Sequence, residues 1–222
     1  MKRIVPYSME NVSKQVKVDT KKFGTPAPDA VVQKTKTALE ANGFAVKVAD
    51  SSEAALRILK ELVPKGATVM NGSSTTLDEI GFTDYLKSPD LPLSNLHGPM
   101  LAEKDKQKHS ELRRLSVTAD YYFSSAQAIT MDGALVGCDA SGSRVGAWPF
   151  AAKNLVIVAG TNKIVPDLEV AIRRLHEYAL QLENVRARAV YGFDSYIANI
   201  VVMRKQFAPR ATVVLVREAL GY

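Results

Sequence analysis

Apolar positions along the chain switch repeatedly between helical and extended spacing. From Asp29, the apolar and small residues Val31, Val32, Thr35, Ala38 and Leu39 recur at helical intervals, and Asn42-Gly43 supplies a C-terminal stop. Phe44 to Ala49 predicts a short strand. Ser51-Ser52-Glu53 caps a second helix with Ala55, Leu56, Leu59, Leu62 and Val63 inward, and Pro64-Lys65-Gly66 ends it. Ala67-Thr68-Val69-Met70 then empties into the hydroxyl-rich turn Asn71-Gly72-Ser73-Ser74-Thr75-Thr76, after which a helix restarts. Strands alternating with helices are the signature of right-handed βαβ units, so the expected fold is α/β, an open mostly parallel sheet flanked by helices.

The alternation continues to the end of the chain. A short helix near Thr83 to Lys87 is broken by Ser88-Pro89-Asp90-Leu91-Pro92. A charged helix follows from Pro99 to Leu115, and its charges read as a solvated face. Asp120 to Ser124 is a strand, Asp132-Gly133 a turn, and Ala134 to Cys138 a second strand ending in the Gly/Ser turn Asp139 to Arg144. Asn154 to Gly160 reads as a buried strand closed by Gly160-Thr161-Asn162-Lys163. Pro166 and Asp167 open a long amphipathic helix with Leu168, Ala171, Ile172, Leu175, Ala179 and Leu182 inward. A helical segment is expected within Asp194 to Gln206, and a strand from Ala211 to Arg217.

Composition narrows the function classes. The chain has 222 residues, 46% of them hydrophobic and 23% charged, an ordinary balance for a soluble domain. No apolar run is long enough to cross a bilayer and no export signal is visible, so a cytoplasmic protein without a membrane role is expected. The single cysteine, Cys138, excludes an intrachain disulfide and a thiolate cluster, and no metal or other cofactor is expected. The net charge of +6 is concentrated in residues 1 to 22, where six basic residues face Glu10 and Asp19. The body is nearly neutral and has no recognition helix, so no nucleic-acid partner is expected. Residues 1–28 read as an N-terminal arm ahead of a domain spanning 29–222.

Candidate chemistry gathers at the turns. At the Asn71, Gly72, Ser73, Ser74, Thr75, Thr76 corner, free backbone N–H groups and hydroxyls converge on one spot suited to a phosphate or carboxylate. A capping box between Thr76 and Glu79 explains part of the same stretch without any ligand, and Asp78 and Glu79 would repel an anion. A basic partner is therefore needed, and Arg144, beside Ser143, or Lys163, beside Gly160 and Asn162, supplies it. Asp132, preceding Gly133 at a strand entrance, is the leading acid/base candidate, and Glu79 the second; a plain turn aspartate and a helix cap are the competing explanations. Cys138 reads as a small buried residue rather than a nucleophile, Trp148 as core rather than a pocket wall, and His97 as an inert turn histidine rather than a donor to a ligand; His109 and His176 carry no assigned role.

Three fragments in order, Asn71 to Gly81, Ala128 to Val136 with Ser141 to Val145, and Val158 to Leu168, resemble the LUD-domain family, named for lactate utilisation. The resemblance covers residues 29 to 222. It implies the NagB/RpiA/CoA-transferase-like fold shared with sugar-phosphate isomerases, CoA transferases and a folate cyclo-ligase, with ligands at strand C-terminal ends. The pocket it implies is formed by Gly72 to Thr76, Asp132-Gly133, Arg144 and Gly160 to Lys163. Two functions follow as expectations. One is a small-molecule enzyme of isomerase or transferase type, acting on a sugar-phosphate, acyl-CoA or hydroxy-acid substrate. The other is a non-catalytic accessory of lactate utilisation that docks an iron-sulfur redox partner. Gln127 and Ser143 stand where the family more often has Asn, and the cysteine-rich stretch of related small members is absent after the long helix. A homodimer is compatible with a one-sheet domain, and no sequence feature fixes it.

Overall fold

The computed structural model describes residues 5–222; Lys2 and Arg3 of the basic leader lie outside the described residues. The strands are β1 (Ala45–Ala49), β2 (Thr68–Asn71), β3 (Ser94–Asn95), β4 (Tyr121–Ser124), β5 (Ala128–Thr130), β6 (Leu135–Asp139), β7 (Asn154–Gly160), β8 (Ile164–Val165), β9 (Asn199–Met203) and β10 (Ala211–Val216). Six of them form an all-parallel sheet in the order β1-β10-β7-β4-β2-β3. The other four form a smaller sheet, β8-β5-β6-β9, in which β6 runs antiparallel to both neighbours.

A parallel sheet covered on both faces needs strands that are apolar at nearly every position. The central strand β7 meets that demand with Leu155-Val156-Ile157-Val158-Ala159, all buried. On one face Val156, Val158, Val214 and Val216 pack against α4 (Ser52–Leu62) through Ala55 and Leu59, and against α5 (Thr75–Glu79) and α6 (Phe82–Tyr85) through Leu77 and Phe82. On the other face Leu155, Ile157, Val213 and Leu215 meet Val32 and Leu39 of α3 (Asp29–Ala41), Trp148, and Ile129 and Leu135 of the smaller sheet. Gly137 in β6 makes that packing possible. A Cβ there would lie 2.6 and 2.7 Å from the Cη2 and Cζ3 atoms of Trp148, which is itself fully buried.

Several sequence expectations are corrected by the structure. The charged helix divides into α7 (His97–Ala102) and α8 (Lys106–Ser116), because the Asp105 carboxylate accepts from the Lys108 N–H and starts a new helix. The segment 194–206 is not helical. Its Ile200-Val201-Val202 run is β-branched and forms β9 on the edge of the smaller sheet. The long helix is present, but a π turn at Leu175–Ala179 joins α10 (Leu168–Arg174) to α11 (Leu180–Tyr191). The arm is docked: α1 (Met9–Val12) and α2 (Thr20–Phe23) bury Val12 and Phe23 against Tyr178 and Leu182 of the long helix.

Gly137→Ala is expected to destabilise the fold by about 1–3 kcal/mol, because the enclosed indole has no room to retreat from the added methyl. Denaturant unfolding of the two proteins measures the difference, and equal midpoints would contradict the packing described.

Candidate functional site

The loops after β2, β4 and β7 leave the same edge of the parallel sheet, the carboxyl edge where α/β domains place ligands. At this edge lies a cavity of about 370 Å³, within the size range of small-molecule sites. Its lining includes Gly72 to Thr76 after β2, Ser125 after β4, Lys163 after β7, and Asp139, Ala140, Ser141, Ser143 and Arg144 at and after the end of β6, with α11 along one side.

Three loops meet at the Lys163 amine. It lies 3.0 Å from the Thr76 hydroxyl and 2.9 Å from the Ser125 hydroxyl, and Ser125 Oγ donates to Thr76 Oγ1 at 3.2 Å. Lys163 is 1% exposed, and burial pushes its pKa well below the usual lysine range; the Arg174 and Arg144 guanidiniums act in the same direction, while Glu79 opposes them. Gly221 in the C-terminal tail completes this packing. Its φ of +56° and the Thr76 hydroxyl, with which a Cβ would collide, both select glycine.

Positive charge enters from the wall. Arg144 donates from Nη2 to the Ser73 carbonyl at 2.6 Å and from Nη1 to the Cys138 carbonyl at 3.2 Å, stitching the Gly/Ser turn to the hydroxyl corner. Arg113 donates to Ser141 and Ser143 at 2.5 and 3.2 Å. Among the described residues neither guanidinium is paired with a carboxylate. Arg186 differs, since Glu183 takes it through two bonds of 2.8 and 2.5 Å. The Asp139 carboxylate accepts from the backbone N–H groups of Gly142, Arg144 and Val145 and shapes the turn that presents Arg144. Burial raises the Cys138 thiol to about 11, which keeps it protonated and unreactive.

Of the residues singled out from sequence, Gly72, Ser73, Ser74, Thr75, Thr76, Ser143, Arg144 and Lys163 line the cavity. The others lie elsewhere. Asp132 and Gly133 form the turn between antiparallel β5 and β6, where their carbonyls accept from the Asn42 amide and the Asp132 carboxylate accepts from Thr130; the hairpin carries them to the end of these strands away from Gln127 and Cys138. Glu79 is fully buried and accepts from Gly221 N at 2.6 Å and Met9 N at 3.2 Å. Asn71 is buried at the end of β2, Gly160 packs against the backbone of Glu218 and Leu220, and Asn162 pins the tail by accepting from Leu220 N. The capping box is replaced by a single cap: Ser74, not Thr76, accepts from the Leu77 N–H. With five residues, α5 is too short to present a substantial dipole.

Other lining residues were not singled out from sequence. Ser125 follows β4 as Gly72 follows β2, so the rule about strand carboxyl ends could have found it. Arg113 sits in a helix whose charges resemble a solvated face. Glu183, Tyr191, Tyr196 and Tyr222 are brought in by α11, by the loop after it and by the tail, with no local motif to mark them.

An all-parallel sheet flanked by helices, with a polar hollow at its carboxyl edge, defines an α/β domain. The chain belongs to the LUD-domain family, whose model matches residues 32–216. Similar solved structures include a DUF162 family protein from Deinococcus radiodurans, with TM-score 0.49 and 14% identity over 86% of this chain and 99% of that one. Ribose 5-phosphate isomerase from Plasmodium falciparum has TM-score 0.32 and 13% identity over 82% and 81% of the two chains. The eIF2B-beta2-delta2 complex from C. thermophilum has TM-score 0.32 and 13% identity over 82% and 54%. No curated protein matches the chain. Among the described residues no helix is long and apolar enough to cross a membrane, and no cluster of His, Cys, Asp and Glu is arranged to hold a metal ion.

The buried lysine makes stability depend on pH in a definite direction. The folded amine loses its proton below the ordinary lysine pKa of about 10.4, so in that window the unfolded chain binds more protons and stability rises with pH. Subtracting the stability-pH curve of Lys163→Met from that of the native chain should leave a rise toward pH 10; a flat difference would contradict a buried, deprotonating amine.

Proposed function

We propose that the chain is a small-molecule metabolic enzyme of isomerase or transferase type that holds a phosphorylated or carboxylated metabolite in the cavity. The observation that carries this reading is the pair Arg113 and Arg144, two guanidiniums without carboxylate partners among the described residues, which line the same hollow as the Ser73 to Thr76 hydroxyls. Guanidinium forks and hydroxyl donors together suit the oxygens of a phosphate or carboxylate. Glu183 lines the same hollow, but Arg186 and the Tyr222 hydroxyl take its carboxylate as fully as backbone amides take Asp139. Asp132 and Glu79 have no part in this scheme, because neither lines the cavity.

A rival reading, a non-catalytic accessory of lactate utilisation that docks a redox partner, is favoured by one feature. Tyr191, Phe193 and Tyr196 are 54%, 63% and 60% exposed, and Tyr191 and Tyr196 also line the cavity. Stable copurification with an iron-sulfur protein supports this second reading, whereas turnover by the isolated chain supports the first.

Titration calorimetry with sugar phosphates, acyl-CoAs and short hydroxy acids tests the anion site. Arg113→Ala or Arg144→Ala is expected to weaken an anionic ligand roughly 10- to 100-fold, the worth of a charge-assisted hydrogen bond, and to leave a neutral analogue unaffected. Equal losses for charged and neutral ligands would mean that the arginines act only on loop structure.

A further inference from the structure

We propose that Lys163 is an imine-forming nucleophile whose amine condenses with the aldehyde or ketone carbonyl of a metabolite held through its anionic group by Arg113 and Arg144. This rests on the reading of the cavity as an anion site and adds the class of substrate, an anionic carbonyl compound. Lys163, Arg113 and Arg144 line one cavity of about 370 Å³, so a single small molecule can meet all three.

The surroundings of the amine distinguish it from an anchoring cation. A buried ammonium kept for its charge is ordinarily paired with a carboxylate. Lys163 has no ion pair among the described residues; its hydrogen-bond partners are the hydroxyls of Thr76 and Ser125. A hydroxyl accepts from an ammonium and equally donates to an amine lone pair, so the neutral form is satisfied without rearrangement. The carboxylate that favours the charged form, Glu79, accepts from the backbone amides of Met9 and Gly221. Two guanidiniums, Arg174 and Arg144, disfavour the ammonium, the circumstance that makes a desolvated lysine nucleophilic. Gly221 leaves the space beside Nζ free of a side chain, since a Cβ there would stand 3.2 Å from the amine.

The step balances without an external oxidant or reductant. The Nζ lone pair forms a C–N bond while the carbonyl π bond breaks, and its oxygen takes a proton released by the nitrogen, relayed through the Ser125 and Thr76 hydroxyls. The remaining N–H proton of the carbinolamine follows the same relay to its hydroxyl, which departs as water while the nitrogen lone pair forms the C=N bond. Amine and carbonyl have become imine and water. A protonated imine draws electrons from the adjacent carbon, the activation an isomerisation or a carbon-group transfer requires.

Borohydride trapping on the full chain tests the proposal. Glyoxylate and, separately, glyceraldehyde 3-phosphate are each added with sodium cyanoborohydride, which reduces any imine to a stable secondary amine, and the modified residue is mapped by mass spectrometry. The expected adduct is on Lys163, and its formation saturates with carbonyl concentration and is suppressed by inorganic phosphate. At neutral pH it should form roughly tenfold or more faster than adducts on exposed lysines such as Lys65, since each pKa unit changes the free-amine fraction tenfold. Lys163→Met should lose the adduct and keep phosphate binding; mapping on the native chain decides the question even where that variant fails to fold. Adducts confined to exposed lysines, with phosphate still bound, would overturn the imine role alone. Absence of phosphate or carboxylate binding would overturn the anion site on which it rests.

Discussion

The Lys163 amine, hydrogen-bonded to Thr76 and Ser125, draws the loops after β7, β2 and β4 to one point beneath the cavity. Everything around it follows from the expense of placing that group out of water. The hydroxyls must be there because an unpartnered buried amine is costly, and the tail must pass close by as glycine because nothing larger fits beside Thr76. The same node explains why the cavity has a polar floor at all. Three strand ends of the parallel sheet lead here into polar groups that have to face one another.

The wall is held by a second kind of bond. Arg144 spends two of its donors on backbone carbonyls from separate loops, and Asp139 gathers three backbone amides to set the turn that carries Arg144. The guanidinium is thereby fixed in place yet retains its full charge, since carbonyls orient it without neutralising it. Arg186 shows the contrast, a guanidinium of the same cavity whose charge Glu183 cancels. The field in the hollow is shaped by which arginines meet carbonyls and which meet carboxylates.

Much of this was legible along the chain, and the gaps have identifiable causes. β7 is readable because both its faces are buried, and α3 because Asn42-Gly43 ends it where its apolar spacing stops. The Gly72 to Thr76 corner and Lys163 could be found because they follow strands that belong to the parallel sheet. Asp132 was misplaced for the converse reason: β5 and β6 are antiparallel, so the turn between them falls at the end opposite the loops that flank the pair. Local sequence does not reveal that a strand has left one sheet for another. Glu79 was drawn toward a cap by its spacing from Thr76, while its partner Gly221 lies 142 residues away. Arg113 and Arg174 were invisible as functional or core groups because a charged residue on a helix is ordinarily solvated. Arg174 instead lies fully buried and donates to the Gln127 and Phe23 carbonyls.

The docked arm has a consequence for where this domain begins. The family match starts at residue 32, yet Phe23 supplies a carbonyl to the buried Arg174 guanidinium and Met9 supplies an amide to the buried Glu79 carboxylate. Cutting the chain at the edge of the match would remove one hydrogen-bond partner from each of two buried groups, the Arg174 guanidinium and the Glu79 carboxyl. Backbone ahead of the recognisable stretch thus serves as an internal solvent for polar groups of the interior.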